Sequence, residues 1–446
     1  MHYHAAVSYL YSFLNFETLP FEYRRQFNLQ RMNRLLDWFH HPEYTFTPIL
    51  VGGTNGKGST ATFLSSILSE NNYLTGLYTS PHLSDPRERI RLNGRAISEG
   101  DFAELVTAMR YVVKPRKKEL ASIGPVTFFE VFTLLAVLYF ARKRVQFGIF
   151  EVGMGGRLDA TKAVGPKLCV LTPVGYDHVE HLGKTLGAIA GEKVAIVSRN
   201  GQLVCSRQPR DARRKIQEWL RKKKARGHFL GVSFQILRKR MATTGSRFDF
   251  QMDGVRLLNL KIRLPGKFQI ENAATALAAA HILQRQEECH IEPEKIAKGL
   301  RRAFWPGRFE IVKRQGETVI LDGAHNDASM REMCASLESL FPTRKKVVIL
   351  GTSREKNLSH ILKPLSSVAD CFIVTKTKQP RAQEPKVILE ALSDLKVRKP
   401  SFWSPNVAEA FKIAKRLGRR NAVKIVTGSL FLVGEAREFL KCPKFI

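Results

Sequence analysis

The chain has 446 residues, of which 44% are hydrophobic and 25% are charged, with a formal net charge of +32. This length exceeds what one hydrophobic core ordinarily serves, so we expect at least two domains, and the composition excludes a disordered or fibrous protein. The basic clusters are scattered and no nucleic-acid-binding module accompanies them, so we expect basic faces that attract small anionic substrates and no nucleic-acid partner.

The start of the chain does not have the pattern of a signal peptide. The most apolar run, "VTFFEVFTLLAVLYFA" (126–141), is shorter than a bilayer span and carries Glu130, which indicates a buried helix rather than a membrane segment. The cysteines show no C-x-x-C spacing. We therefore expect a cytoplasmic protein with reduced thiols and no membrane contact.

Apolar strands alternate with helical patterns through the first two thirds of the chain. In order, we predict N-terminal helices to about residue 39, the strand "TPILVGG", a helix from about residue 58, a helix over 126–143, the strands "FGIFEVG" and "KLCVLTPVG", short strands over 231–264, and the helix "IENAATALAAAHIL". This alternation predicts an α/β fold: a P-loop-type doubly wound parallel sheet with a small β-rich segment.

A domain boundary is expected at "RRAFWPGRFE" (301–310), where a helix gives way to proline and glycine. The hairpin "FEIVKRQGETVILDGA" follows, and then the strands "KKVVILGTS", "DCFIVTKT" and "VKIVTGS" at helix-length intervals. We predict an ATP-binding domain over 1–303 and a smaller Rossmann-like α/β domain over 304–446.

The segment "VGGTNGKGST" (51–60) resembles a phosphate-binding loop with altered spacing, because Gly58 separates Lys57 from the first hydroxyl. A strand precedes it and a helix follows, which favours anion binding by the helix N-terminus over a glycine-rich turn without a ligand. Lys57 can offset phosphate charge, and Ser59 or Thr60 can ligate Mg²⁺. The predicted ATP contacts in the loop are Gly53, Thr54, Asn55, Gly56, Lys57, Gly58, Ser59 and Thr60.

Three further residues are candidates for metal chemistry. Glu130 lies in an apolar helix, where an unpaired carboxylate is costly to bury, so we prefer a metal ligand to a solvent-facing Glu at a helix start. His178 follows a strand end, where α/β sheets gather ligands, although a lone His is often structural. Lys193 lies in an apolar helix, where burial favours the neutral amine, which can be chemically modified.

A set of motifs in chain order resembles the folylpolyglutamate synthase / dihydrofolate synthase family of Mur-type ligases. They are "GGTNGKGST", "SPHL", "ERIRLNG", "EVGMGGRLDAT", "DHVEHLGKT", "GEK", "LPGKFQIENAATAL", "WPGRFE", "DGAHN" and "TGSLFLVGEAR". The resemblance runs from about residue 50 to residue 437. It implies an ATP-dependent amide ligase in which a substrate carboxylate attacks the γ-phosphate and L-glutamate then attacks the acyl phosphate.

The resemblance also implies site residues and cofactors. Two Mg²⁺ ions are implied, with Ser59, Glu130, His178 and a carbamylated Lys193 as the metal ligands. Catalytic roles fall to Lys57, Lys193 and His325, and further ATP contacts fall to Asn272, Arg308 and Asp322. The substrate residues are Ser80, Pro81, His82, Asp159, His325 and Ser429. Taken alone, His82 also fits an ordinary loop, and Asp322 and Ser429 also fit strand-end capping and turn formation.

Three functions remain open at this point. The leading one is a ligase that joins L-glutamate to dihydropteroate, to reduced folate, or to both. The second is a peptidoglycan-type Mur ligase, against which "SPHL" and "ERIRLNG" argue. The third is a basic, non-catalytic nucleic-acid binder, against which Lys57, Glu130, His178 and Lys193 argue. From the family we expect a monomer.

Overall fold

A computed structural model describes residues 1–19, 22–120, 122–418 and 421–444, and the chain forms two α/β units, each around its own sheet. The helices of the first unit are α1 (Tyr3–Tyr11), α2 (Tyr23–Gln26), α3 (Leu29–Trp38), α4 (Lys57–Glu70), α5 (Glu99–Val113), α6 (Phe128–Arg142), α7 (Val179–Leu182), α8 (Leu186–Lys193), α9 (Arg210–Lys223), α10 (Lys267–Arg285) and α11 (Pro293–Arg302). Its strands are β1 (Thr47–Gly52), β2 (Thr75–Tyr78), β3 (Ile90–Leu92), β4 (Arg95–Ala96), β5 (Phe147–Glu151), β6 (Leu168–Leu171), β7 (Gln202–Cys205), β8 (Arg226–Phe229), β9 (Phe234–Ala242), β10 (Gly245–Met252) and β11 (Val255–Ile262).

The large sheet of this unit has the order β4-β3-β2-β5-β1-β6-β7-β8. Strands β2, β5, β1, β6, β7 and β8 are parallel, whereas the pairings of β2 with β3 and of β3 with β4 at one edge are antiparallel. The central strands β1, β5 and β6 are buried almost throughout, as their unbroken apolar runs require when helices cover both faces. Since β1 lies between β5 and β6, the segments that follow these three strands meet at one edge of the sheet.

Strands β9 to β11 form a separate antiparallel sheet in the order β11-β10-β9. Its apolar side chains alternate along the strands, and Phe248, Phe250 and Met252 pack in one core with α10 and α4. Charged and amide side chains of the opposite face, among them Arg240, Arg247 and Gln251, are exposed.

The second unit contains β12 (Glu310–Arg314), β13 (Glu317–Leu321), β14 (Lys345–Leu350), β15 (Cys371–Val374), β16 (Ser401–Trp403) and β17 (Ala422–Thr427). Its helices are α12 (Asp327–Leu340), α13 (Leu358–Val368), α14 (Pro385–Asp394), α15 (Val407–Gly418) and α16 (Leu430–Phe439). The strand order is β12-β13-β17-β14-β15-β16, parallel except for the hairpin of β12 with β13. Two apolar clusters, one on each face, cover this sheet.

The predicted fold class is confirmed in both units. The helix predicted over 126–143 is α6, whose N-terminus is fixed by a capping box between Thr127 and Glu130. Strands β7 and β8 and helix α9 were not predicted. The division at residues 303 and 304 stays a proposal, supported by the end of α11 at Arg302 and the start of β12 at Glu310. Within the described residues, no helix has both the length and the apolar character needed to cross a membrane.

Candidate active site

The segment that was predicted to bind phosphate joins β1 to α4 at the carboxyl edge of the large sheet. Its backbone has positive φ angles at Gly53 (φ 134°) and Gly56 (φ 85°), which residues other than glycine rarely adopt. The N–H of Thr54 donates to the carbonyl of Pro173 at 3.0 Å, which ties the loop to the segment after β6. Helix α4 begins at Lys57, so its free N–H groups open into the loop.

Three side chains from outside the loop fix its shape. Asn272 on α10 packs against Gly56, and Gln269 donates to the Ser59 hydroxyl at 3.3 Å. The indole of Trp305 lies so close to Gly58 that an added Cβ would be 2.9 Å from its Nε1.

Gly58 and Ser59 are buried, as is Asn272, whereas Lys57 is half-buried. The Lys57 amine turns back to the loop carbonyls of Gly53 (3.3 Å) and Thr54 (3.1 Å).

The contacts of Glu130 contradict its predicted role as a metal ligand. Both of its carboxylate oxygens accept from Arg31 Nε, at 2.9 and 3.1 Å, and Oε2 also accepts from the Thr127 N–H. Both side chains are about 95% buried. Glu130 is therefore the partner of a buried arginine and part of a helix cap. The solvent-facing alternative is equally wrong.

Glu151, rather than Glu130, is the buried acid next to the predicted phosphate-binding loop. It is the last residue of β5, beside β1, and is 5% exposed. One oxygen accepts from the Ser80 N–H at 3.2 Å, and among the described residues the other accepts no hydrogen bond. Burial raises the pKa of Glu151, and the charges of Lys57, Arg308 and Arg89 oppose that rise. The sequence signal was an apolar strand, "FGIFE", ending in an acid next to the loop strand.

Lys193 contacts the start of the predicted phosphate-binding loop. It ends α8, is 4% exposed, and donates to the Gly53 carbonyl at 2.9 Å. Burial, and then the nearby charge of Lys57, lower the pKa of Lys193 to about 7. A large share of this amine is therefore neutral and nucleophilic at neutral pH.

The segment after β6 brings the two units together. His178 has a left-handed backbone (φ 49°) and an exposed side chain. The preceding residue, Asp177, accepts from Lys356 Nζ at 2.8 Å and from Asn326 Nδ2 at 3.2 Å. Burial opposes ionisation of Asp177, but His325 and Lys356 hold its pKa well below the usual range. Asp177, Asn326 and Lys356 were not predicted from the sequence.

Asn326 also joins the loop directly. The side-chain amides of Asn55 and Asn326 exchange two hydrogen bonds, of 3.0 and 3.2 Å. His325, whose Nδ1 is 2.7 Å from the Gly323 carbonyl, lies 3.8 Å from Asp177 through Nε2. The structure thus brings His325 of the second unit beside the loops of the first.

Asp322 and Ser429 follow neighbouring strands of the second sheet. The two Asp322 oxygens accept from the N–H groups of Phe309 (2.7 Å) and Ala324 (2.8 Å). Burial raises the pKa of Asp322 to about 6, although Arg308 and these N–H groups oppose the rise. Ser429 is the N-cap of α16 and accepts from the Phe431 N–H.

The segment Ser80–Pro81–His82 runs from the Glu151 contact to the N-terminal helices. The His82 ring accepts from Arg89 Nε at 2.8 Å, and its Nε2 lies 3.2 Å from the Tyr11 hydroxyl. Burial and the Arg89 charge lower the pKa of His82 to about 3, so this ring is neutral.

Asp159 lies inside the protein. It is 1% exposed and accepts from the N–H groups of Met154 and Thr161 and from the Thr161 hydroxyl. These bonds fix the turn that follows Glu151, so in this structure Asp159 shapes the loop.

The oxygen atoms that the site offers show whether it suits magnesium. Among the described residues, no three His, Cys, Asp or Glu side chains are grouped closely enough to hold a metal. Mg²⁺ commonly takes only one or two carboxylates and completes its shell with water and phosphate oxygens. The open Glu151 oxygen and the Ser59 hydroxyl on α4 fit that habit.

The fold and this site define a phosphate-binding α/β enzyme of the Mur ligase class. The Mur ligase middle domain family matches residues 51–280, and the "Mur ligase, glutamate ligase domain" family matches residues 307–430. The dihydrofolate synthase/folylpolyglutamate synthase of Bacillus subtilis is 32% identical over 442 residues, which cover 98% of this chain and 99% of the relative. The chain therefore belongs to the folylpolyglutamate synthase / dihydrofolate synthase family.

Solved structures agree with this assignment. The Mycobacterium tuberculosis folylpolyglutamate synthase complexed with ADP and AMPPCP has a TM-score of 0.89 at 28% identity, covering 94% of this chain and 97% of that one. A folylpolyglutamate synthase complex with AMPPCP and folate has a TM-score of 0.85 at 26% identity, covering 99% and 100%.

Proposed function

We propose that the protein is an ATP-dependent ligase that joins L-glutamate to dihydropteroate, to reduced folates, or to both. The observation that carries this proposal is the convergence of Lys57, Glu151 and Lys193 around one loop in a chain of this family. ATP lies with its phosphates on the N-terminus of α4, between the loop and Arg308, and with its nucleoside toward Asn272 and Asp322.

Each reacting group is assigned to residues of this chain. Lys57 leaves the loop carbonyls to offset the charge of the γ-phosphate while the substrate carboxylate attacks it, so that the bond to the β-phosphate oxygen breaks and ADP leaves. The dihydropteroate or folate substrate lies along Ser80, Pro81 and His82. Asp159 shapes the adjoining side of this pocket by fixing the turn after Glu151. L-Glutamate binds near His325 and Ser429, and its amino group attacks the acyl phosphate, releasing phosphate.

The magnesium ligands are proposed on the same basis. Ser59 and Glu151 would hold one ion, and His178 and a carbamate on Lys193 would hold a second. When bound, such ions neutralise charge on the transferring phosphoryl group. The low pKa of Lys193 supports the carbamate, because only the neutral amine combines with CO₂.

We further propose that the protein works as a monomer in the cytoplasm. The six cysteines are all free, as is usual for thiols in a reducing compartment.

The proposal is tested by phosphate release from ATP with three acceptor classes: dihydropteroate, reduced folates, and muramyl peptides, each with its own amino acid. We expect release with one or both of the first two and L-glutamate only. Release with a muramyl acceptor alone would replace this function with that of a peptidoglycan ligase.

A further inference from the structure

Three cations lie side by side on the outward face of the small sheet. In the strand register, Arg247 on β10 is directly opposite Arg240 on β9 and directly opposite Lys261 on β11. Arg240 and Arg247 are exposed and Lys261 is partly exposed. Like charges placed opposite one another destabilise a sheet, so this row has an energetic cost in the free protein.

No acid in the three strands relieves that cost. The strands and their turns contain two acids, Asp249 and Asp253. Asp249 pairs with Arg238 at 2.7 Å, and Asp253 pairs with Arg285 at 2.7 Å. Within the described part of the chain, the row of Arg240, Arg247 and Lys261 has no ion-pair partner. An external anion would supply one.

The chain just beyond Lys261 contacts the segment that covers the nucleotide loop. Arg263, two residues after Lys261, has its guanidinium 5.8 Å from the centre of the Phe304 ring. The next residue, Trp305, covers Gly58 at the start of α4. The cations of the small sheet are thus connected to the nucleotide loop through two adjacent aromatic residues.

The chemistry of the face favours a flexible carboxylate polymer over a nucleic acid. The aromatic residues of these strands, Phe234, Phe248 and Phe250, are all buried in the core beneath the sheet. Single-stranded nucleic acids are generally held by exposed aromatic rings as well as by cations. A chain of glutamates joined through one carboxylate each keeps one free carboxylate per residue and needs cations alone.

We propose that the row of Arg240, Arg247 and Lys261 binds the oligoglutamate tail of a substrate that already carries several glutamates. This inference rests on the proposed function and deepens it, because it makes the enzyme prefer extended substrates through a surface outside the reaction centre.

The test combines Arg240→Gln, Arg247→Gln and Lys261→Gln. A matched control removes the same charge from the exposed residues Arg221, Lys222 and Arg226. One measurement is the affinity for a fluorescent γ-linked glutamate oligomer without a pterin. The other is KM for a monoglutamate and for a hexaglutamate substrate.

We expect the triple variant to bind the oligomer about tenfold more weakly, as three exposed charge pairs allow, and to show a similar rise in KM for the hexaglutamate alone. Wild-type affinity should fall with added salt. Equal losses in the control, or equal changes in KM for both substrates, would overturn the inference, as would tighter binding of a single-stranded oligonucleotide of matched charge. If the wild type binds the oligomer through the row but turns over no folate, the proposed function fails and the binding site stands.

Discussion

The amine of Lys193 donates to the carbonyl oxygen of Gly53 at 2.9 Å, which ties the last residue of α8 to the first turn of the nucleotide loop. A basic side chain is thereby held without a carboxylate partner in its hydrogen bond. Burial and the charge of Lys57 favour its neutral form. The position is suited to covalent modification by CO₂ and poorly suited to a permanent ammonium.

Replacement of Lys193 tests that modification. Lys193→Ala should lose turnover, and a small carboxylic acid in the buffer should restore part of it by supplying the missing oxygens. Lys193→Arg keeps a cation but cannot form the carbamate, so it should stay inactive with the acid present. Turnover measured with and without added bicarbonate completes the test. An arginine variant with wild-type activity would contradict the role.

Lys57→Ala should remove catalysis and leave the fold intact, because among the described residues the amine donates hydrogen bonds only to loop carbonyls. Losing one preorganised contact to developing charge costs about 10² to 10³ in kcat. The exposed Lys184, changed in the same way, is the control. Steady-state kinetics and the thermal midpoint separate the two effects, and an unchanged kcat would remove Lys57 from the reaction.

Glu130→Gln and Glu151→Gln should have opposite consequences. The first leaves the buried Arg31 without a charged partner, which typically costs about 3–5 kcal/mol of unfolding free energy. The second removes a charge that burial already disfavours, so stability should hold while kcat falls by at least about 10². Urea unfolding and kinetics on both proteins decide the assignment. Greater loss of activity per folded molecule in the Glu130 variant would restore the original metal prediction.

Asn326 and Asn357 offer a matched pair for the contact between the units. Each caps a helix of the second unit, so replacement of either by Ala should cost about 1 kcal/mol. Only Asn326 also bonds to Asn55 and Asp177 in the first unit. We therefore expect Asn326→Ala alone to raise KM for ATP and to expose the 303–306 segment to protease. Identical behaviour of the two variants would limit Asn326 to capping.

The raised pKa of Asp322 gives a dependence of stability on pH. The folded carboxyl holds its proton to about pH 6, whereas the unfolded one releases it near 3.8, so its stabilising effect is complete below about pH 4 and is lost as the pH rises through 6. Relative to Asp322→Asn, the wild type should lose on the order of 3 kcal/mol across that window. Unfolding measured from pH 4 to 7 checks the sign, and parallel curves would refute it.

Sequence patterns predicted the strands well wherever the apolar residues reflect burial on one or both faces of a sheet. The continuous apolar runs of β1, β5 and β6 specified parallel strands, and the alternation over 231–264 specified the small sheet. Strand β8 is short and half-exposed at a sheet edge, so its sequence, "RGHF", has no such signal. β8 joins the sheet by pairing with β7, from which it is separated in sequence by the whole of helix α9.

The site was harder to predict because its partners are distant in sequence. Glu130 was chosen because a buried acid needs a partner, and the partner, Arg31, lies 99 residues away. Asp177 accepts hydrogen bonds from Asn326 and Lys356 of the second unit, which lie 149 and 179 residues away in sequence. Such pairings depend on tertiary packing, which single-sequence patterns do not contain.

The close approach of Trp305 to Gly58 explains the unusual spacing of the loop. The indole fills the volume that a side chain after Lys57 would need, so the hydroxyl found there in ordinary phosphate loops is displaced to residue 59. Two positions 247 residues apart are therefore coupled: residue 58 can gain a side chain only if the side chain at residue 305 moves or becomes smaller. The residue that this loop accepts after Lys57 thus depends on a side chain of the segment that joins the two units.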